Sequence, residues 1–95
     1  MKMKNSVGQL MIDVNDEVFM ERMRQNEKWG WQRHENGKWL SIAMEEVGEV
    51  CQALNRINFP SQAKETDKDN LYEELIQASA VFSAWAEQIK EEMEK

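Results

Sequence analysis

Residues 38–57 read KWLSIAMEEVGEVCQALNRI, with no proline and a single glycine, Gly48. Like the chain's other long stretches without breakers, which are rich in Glu, Met, Ala, Leu and Gln, this run favours helix over strand. Leu40, Ala43, Met44, Val47, Cys51 and Leu54 follow the i, i+3, i+4, i+7 rhythm of an amphipathic helix, so this stripe is expected to face a core. At 100° per residue a second face appears, carrying Ile42, Val50 and Ala53 with Glu46 and Glu49 between them. Acids set among small and apolar neighbours do not make a plain solvated surface.

The same design recurs downstream. Leu71, Leu75, Ala78, Phe82, Trp85 and Ile89 form a second expected core stripe, and beside it lie Glu74, Gln77, Val81 and Ala84. This helix is expected from about Asn70, where Asn70 and Glu73 resemble a capping box (Asp67 and Asp69 being the other possible caps), to Met93. Residues 58–69, with Pro60, read as a connection. Upstream, Leu10, Met11, Val14, Val18 and Met23 give a first helix from about Gln9 to Trp29 one apolar face. Residues 1–8 are expected to be a flexible N-terminus. Between the first two helices, WGWQRHENGK (residues 29–38) holds two tryptophans and the only histidine, and reads as an ordered loop. The expected fold is therefore all-α, an antiparallel helical bundle forming one domain. Both later helices are apolar over more than one face, which a short chain cannot cover alone, so a second copy is expected to complete the bundle.

Composition narrows the function. A chain of 95 residues with 12 basic and 18 acidic residues carries a net charge of −6, which argues against a DNA or RNA groove. One cysteine removes any disulfide framework or cysteine-based zinc site, and one histidine removes a bundle-type di-iron site. No apolar run approaches a membrane span and the N-terminus lacks a signal peptide's apolar stretch, so a cytoplasmic protein without membrane contact is expected.

Glu46 and Glu49 are three apart, which places their carboxylates on one side of a helix, and Glu74 and Gln77 share that spacing. If the two helices pack antiparallel with these positions facing, three carboxylates and an amide oxygen converge. Such a cluster is repulsive until a hard, oxygen-preferring cation such as Mg²⁺ or Mn²⁺ fills it. The bound metal would invert the local charge and let an acidic protein take a polyanion. Spacing alone also fits solvated Glu-x-x-Glu pairs.

Three blocks together carry a family resemblance. Glu27-Lys28-Trp29-Gly30-Trp31-Gln32-x-His34, Trp39-Leu40-x-Ile42-x-x-Glu45-Glu46-Val47-Gly48-Glu49-Val50 and Glu73-Glu74-Leu75-Ile76-Gln77-x-x-Ala80-Val81 resemble the MazG-like branch of the all-α NTP pyrophosphohydrolases, over roughly residues 17 to 90. That family's hallmark is Glu-Glu-x-x-Glu followed by Glu-x-x-Asp on the next helix. The resemblance implies a dimer or tetramer that hydrolyses a nucleoside triphosphate between its α and β phosphates with Mg²⁺, giving the monophosphate and pyrophosphate. It implies Glu46, Glu49 and Glu74 as metal ligands, with Glu45 near the metal shell or orienting the attacking water together with Glu49. One position departs: the closing Asp is Gln77, whose amide oxygen can coordinate Mg²⁺ but brings no charge and no base. A nucleotide-binding or assembly protein of the same fold, without turnover, is the alternative this departure keeps open.

Lys28, Arg33, Lys38 and Lys68 are candidates to neutralise phosphates, each also readable as a surface cation. Trp29, Trp31 and Trp39 are expected either to stack on a nucleobase or to cap the core, with Trp39 assigned to the core. Gln32, Asn36 and His34 are candidate base or phosphate contacts, although His34 also reads as a loop-ordering residue. Cys51, on the expected core stripe, is expected to be a buried, inert thiol.

Overall fold

The computed structural model describes residues 6–59 and 67–95, with side chains in the last helix from Asn70 onward. Three helices account for nearly all of them: α1 (Val7–Trp29), α2 (Asn36–Asn58) and α3 (Asp67–Met93). No strand occurs among the described residues. The connection at residues 60–66 and the first five residues lie outside the description, as does the Lys68 side chain.

Local chemistry explains the boundaries. Ser6, in extended backbone, caps α1 by accepting the Gln9 N–H on its Oγ at 3.2 Å. The helix therefore starts two residues before the expected Gln9. It ends at Gly30, whose φ of 80° is open to glycine and strained for other residues, and whose N–H reaches the Asn26 carbonyl. The third helix begins at Asp67, so Asn70 lies inside it and does not cap it.

The order is up–down–up. Trp39 near the start of α2 meets Gln88 near the end of α3, and Glu46 and Glu49 further along α2 meet Glu74 near the start of α3, an antiparallel pairing, while α1 and α3 both end beside the 30–35 loop. The central helix is α3, packed on α2 and on α1, whereas α1 and α2 make no helix–helix contact of their own. A gap bounded by α3 and the loop is left between them.

The core is small. Trp39, Ala43 and Val81 are its buried centre, with Ile42, Ala84 and Trp85 packed around it. This bears out Ala43, Ala78 and Trp85 of the expected stripes and corrects much of the rest. On α2, Leu40, Met44 and Leu54 are exposed and Cys51 is an exposed free thiol, not a buried one. The face carrying Glu46 is the one that meets α3. On α3, Leu75 and Phe82 are exposed while Val81 and its neighbour Ala84 pack inward; Ala78 alone of the expected stripe is buried. No residue of α1 is buried, and Leu10, Met11, Val14 and Met23 face outward. The radius of gyration, 15.8 Å, exceeds the roughly 12 Å expected for a closed domain of this length.

Candidate functional site

Glu46 and Glu49 on α2 and Glu74 on α3 converge. One carboxylate oxygen from each lies within 4.8 Å of the others. Antiparallel packing of two helices whose facing residues are small produces this, because Ala43, Ala53 and Ala78 let the backbones approach. Glu46 Oε2 and Glu74 Oε2 are buried with no hydrogen-bond partner. Burying carboxylate oxygens without donors costs desolvation free energy, which the protein relieves by favouring the protonated form of Glu46 and Glu74 beside Glu49. Burial, followed by the adjacent Glu49 and the charges of Glu74 and Glu21, pushes the Glu46 carboxyl up to about 7. Burial also raises Glu74, with Glu49 as the next cause.

A donor set of carboxylate oxygens, two of them unpartnered, matches a hard divalent cation. The fit holds on the chemistry of the donors. Glu45 is exposed and borders a shallow open cleft with Glu46, Glu49 and Gln52, at the outer side of the cluster. Gln77 is half-buried and lines a different cleft, between α1 and α3, with Glu17, Met20, Glu21 and Tyr72.

On the other side of Glu46 lies the gap between α1 and α2. It is a cavity of about 250 Å³, walled by Trp29, Trp39, Ile42, Val81 and Ala84 on its apolar sides. Its polar lining comes from Arg22, Gln25, Asn26, Gln32 and Arg33, with Glu46 at one edge. Of the residues picked from sequence, Trp29, Gln32, Arg33 and Trp39 thus gather at one cavity. Trp39 is the core tryptophan expected, 2% exposed, and doubles as cavity wall.

The remaining candidates take other roles. Trp31 is exposed, and Arg33 stacks on it with its guanidinium carbon 3.8 Å from the ring centroid. Lys28 is exposed and lies over the Trp29 ring at 4.6 Å. Lys38 is exposed, and Asn36 accepts a hydrogen bond from Trp85 Nε1. His34 pairs through Nε2 with Gln32 Oε1 at 2.9 Å and sets its ring edge-on to Trp39, ordering a residue that lines the cavity.

Two features escaped the sequence. Gln88, buried on α3, accepts the His34 N–H at 3.0 Å and Trp39 Nε1–H at 2.7 Å on its Oε1, and donates Nε2 to the His34 carbonyl at 2.6 Å. It ties the loop to the helix. The second is the α1 wall, where Arg22, Gln25, Asn26 and Trp29 stand at i, i+3, i+4 and i+7. Three of the four are polar, so their spacing gives no apolar periodicity to mark the face. Glu21, on the neighbouring face, is held below the usual carboxylate range by its hydrogen bonds to Arg24, although partial burial opposes this.

Searches with protein-family models, against curated proteins and against solved structures found no match to this chain.

Proposed function

We propose that the protein is a Mg²⁺-dependent nucleoside triphosphate pyrophosphohydrolase of the MazG-like kind, cleaving between the α and β phosphates. The observation that carries this reading is the convergence of Glu46, Glu49 and Glu74, with two buried oxygens that lack a hydrogen-bond partner, where Glu46 also lines the cavity walled by Trp29 and Trp39. Glu46, Glu49 and Glu74 hold the cation, with Mn²⁺ as an alternative to Mg²⁺. When bound, the cation neutralises phosphate charge and lowers the barrier to attack by water.

The chain's own residues do the rest. Trp29 and Trp39 offer aromatic and apolar surface to a nucleoside, and the amides of Gln25, Asn26 and Gln32 offer donors and acceptors to its edges. Glu49 and the exposed Glu45, which border the same outer cleft, would accept a proton from attacking water there. The exposed apolar stripes of α2 and α3, and an α1 that buries nothing, support a homo-oligomer in which a second copy covers them. Such a protein would work in the cytoplasm on a dissolved nucleotide.

Gln77 supports a second reading. Set in the α1–α3 cleft, it leaves three carboxylates at the cluster, and a nucleotide-binding or assembly protein without turnover fits that poorer donor set. The two readings separate on one screen. The eight common ribo- and deoxyribonucleoside triphosphates are incubated with Mg²⁺ or Mn²⁺ and the products resolved. Monophosphate plus pyrophosphate, lost in Glu46→Gln, supports the hydrolase. Absence of turnover under both metals favours the silent relative.

A further inference from the structure

The two arginines on the cavity wall differ in what they have left to give. Every nitrogen of the Arg33 guanidinium is committed: Nε to Glu91 at 3.2 Å, Nη1 to the Gln32 carbonyl at 2.9 Å, and Nη2 to Glu87 and Glu91. Its face is stacked on Trp31. Arg33 therefore builds the wall. Arg22 is hydrogen-bonded among the described residues through Nη2 alone, to both oxygens of Glu87 at 3.2 Å. Its side chain is only 15% exposed, and it lines the cavity with Trp29 from the next two turns of α1.

A guanidinium offers donors only and stays charged at any working pH. The Glu87 contact holds Arg22 by one nitrogen, leaving the Nε–H and Nη1–H donors without a partner among the described residues. Of the amides on the same cavity, Gln25 donates its Nε2 to Glu21 and Gln32 pairs with His34, while Asn26 can turn to present either oxygen or nitrogen and does not discriminate by itself. Arg22 does. A ring amino group brought to it would set donor against donor in a half-closed cavity, whereas a ring keto oxygen accepts from it.

We propose that Arg22 is the specificity-determining residue of this cavity, selecting a nucleobase that carries a keto oxygen where cytosine and adenine carry an amino group. The favoured ligands are uracil, thymine and guanine nucleotides. This rests on the reading of the cavity as a nucleoside site, and holds whether or not the bound nucleotide is hydrolysed.

The test is binding in EDTA, so that the carboxylate cluster takes no part. Calorimetric titration of the full chain with UMP, dTMP and GMP, set against CMP and AMP, is expected to favour the keto bases by about tenfold or more. In Arg22→Gln, whose amide serves either edge, that ratio falls to about one, while Arg22→Lys keeps a reduced preference. Circular dichroism checks that both variants fold; if Arg22→Gln does not, the Arg22→Lys ratio decides. Equal binding of all five nucleotides, or no binding of any, overturns the proposal, as does a keto preference that survives in Arg22→Gln. Pyrophosphate binding as tightly as UMP, and lost in Arg22→Gln, would make Arg22 a phosphate clamp and overturn it too. A hydrolase without keto preference fails this inference alone. Keto preference without turnover fails the hydrolase reading alone.

Discussion

Two faces of α2 run side by side, one residue out of step. Leu40, Met44, Val47, Cys51 and Leu54 form one; Trp39, Ala43, Glu46, Val50 and Ala53 form the other. Both keep the 4–3 spacing of a packing seam. The first is the more apolar, yet it is the second that meets α3, burying Trp39, Ala43 and Ala53. Apolar content alone did not choose the contact. Small residues that admit a close backbone and one large tryptophan with a partner for its N–H did, and the acids are brought in with that face. The outer seam is the more apolar of the two and stays largely exposed.

The largest expected separation between the faces is chemical. If the protein is the hydrolase proposed above, Glu46→Gln should lower pyrophosphate release more than about 100-fold, beyond the usual cost of altering a residue that only supports a metal ligand. The helical signal should stay intact. A comparable loss from Met44→Gln, on the outer seam, would break the assignment of function to the inner face alone.

Stability gives the next contrast. Trp39→Ala is expected to cost about 3–5 kcal/mol in urea unfolding, as loss of a buried tryptophan does. Leu40→Ala costs under about 0.5 kcal/mol in a chain that stands alone, but about 2 kcal/mol or more if a second copy covers it. Light scattering on Met44→Lys then reads the same question as molar mass. An oligomer that falls to the 11.2 kDa chain assigns the outer seam to self-association, and a wild type already at that mass sinks that idea.

Acidity affects only the inner face. The Glu46 carboxyl is raised from its usual 4.5 to about 7 by burial and its acidic neighbours. The folded state therefore holds a proton the unfolded chain has lost. Stability from this group is full below about pH 4.5 and is lost as pH rises through about 7. Glu46 is only partly buried, so solvent screening limits the effect, and the melting temperature in EDTA should fall by roughly a few degrees between pH 5 and pH 8. Saturating Mg²⁺ should raise the melting temperature and, because cation and proton compete, bind more tightly as pH rises through that range. A flat profile in EDTA with no response to Mg²⁺ would count against a cation at these carboxylates.

The smallest expected effect is at Cys51, exposed in the middle of the outer seam. Its alkylation should be as fast as a free thiol's in dilute protein and slow on concentration if copies associate there. A rate independent of concentration argues against burial of that seam.

These contrasts mark what the residues disclosed. Helix number and order were legible because proline and glycine are scarce and the apolar rhythm is strong in residues 38–57 and 71–89. Glu46, Glu49 and Glu74 were legible because three-residue spacing on facing helices brings side chains together. The buried face was not, since two stripes of equal period lie one residue apart and the more apolar one draws the eye. Trp39 was placed correctly, but its partner Gln88 lies 49 positions away and carries no local signal. Arg22 was missed for a similar reason, as a cation on a helix face reads as solvated until a cavity is seen beside it.

Gln88 has a consequence for how the protein opens. One amide holds both backbone groups of His34 and the Trp39 indole, so the loop and the end of α3 cannot separate without leaving buried polar groups unmet. They form one cooperative unit. The His34 amide, in a surface loop, should exchange its hydrogen as slowly as the amides around Gln88, and the cavity entrance should stay shaped while the outer helix ends fray.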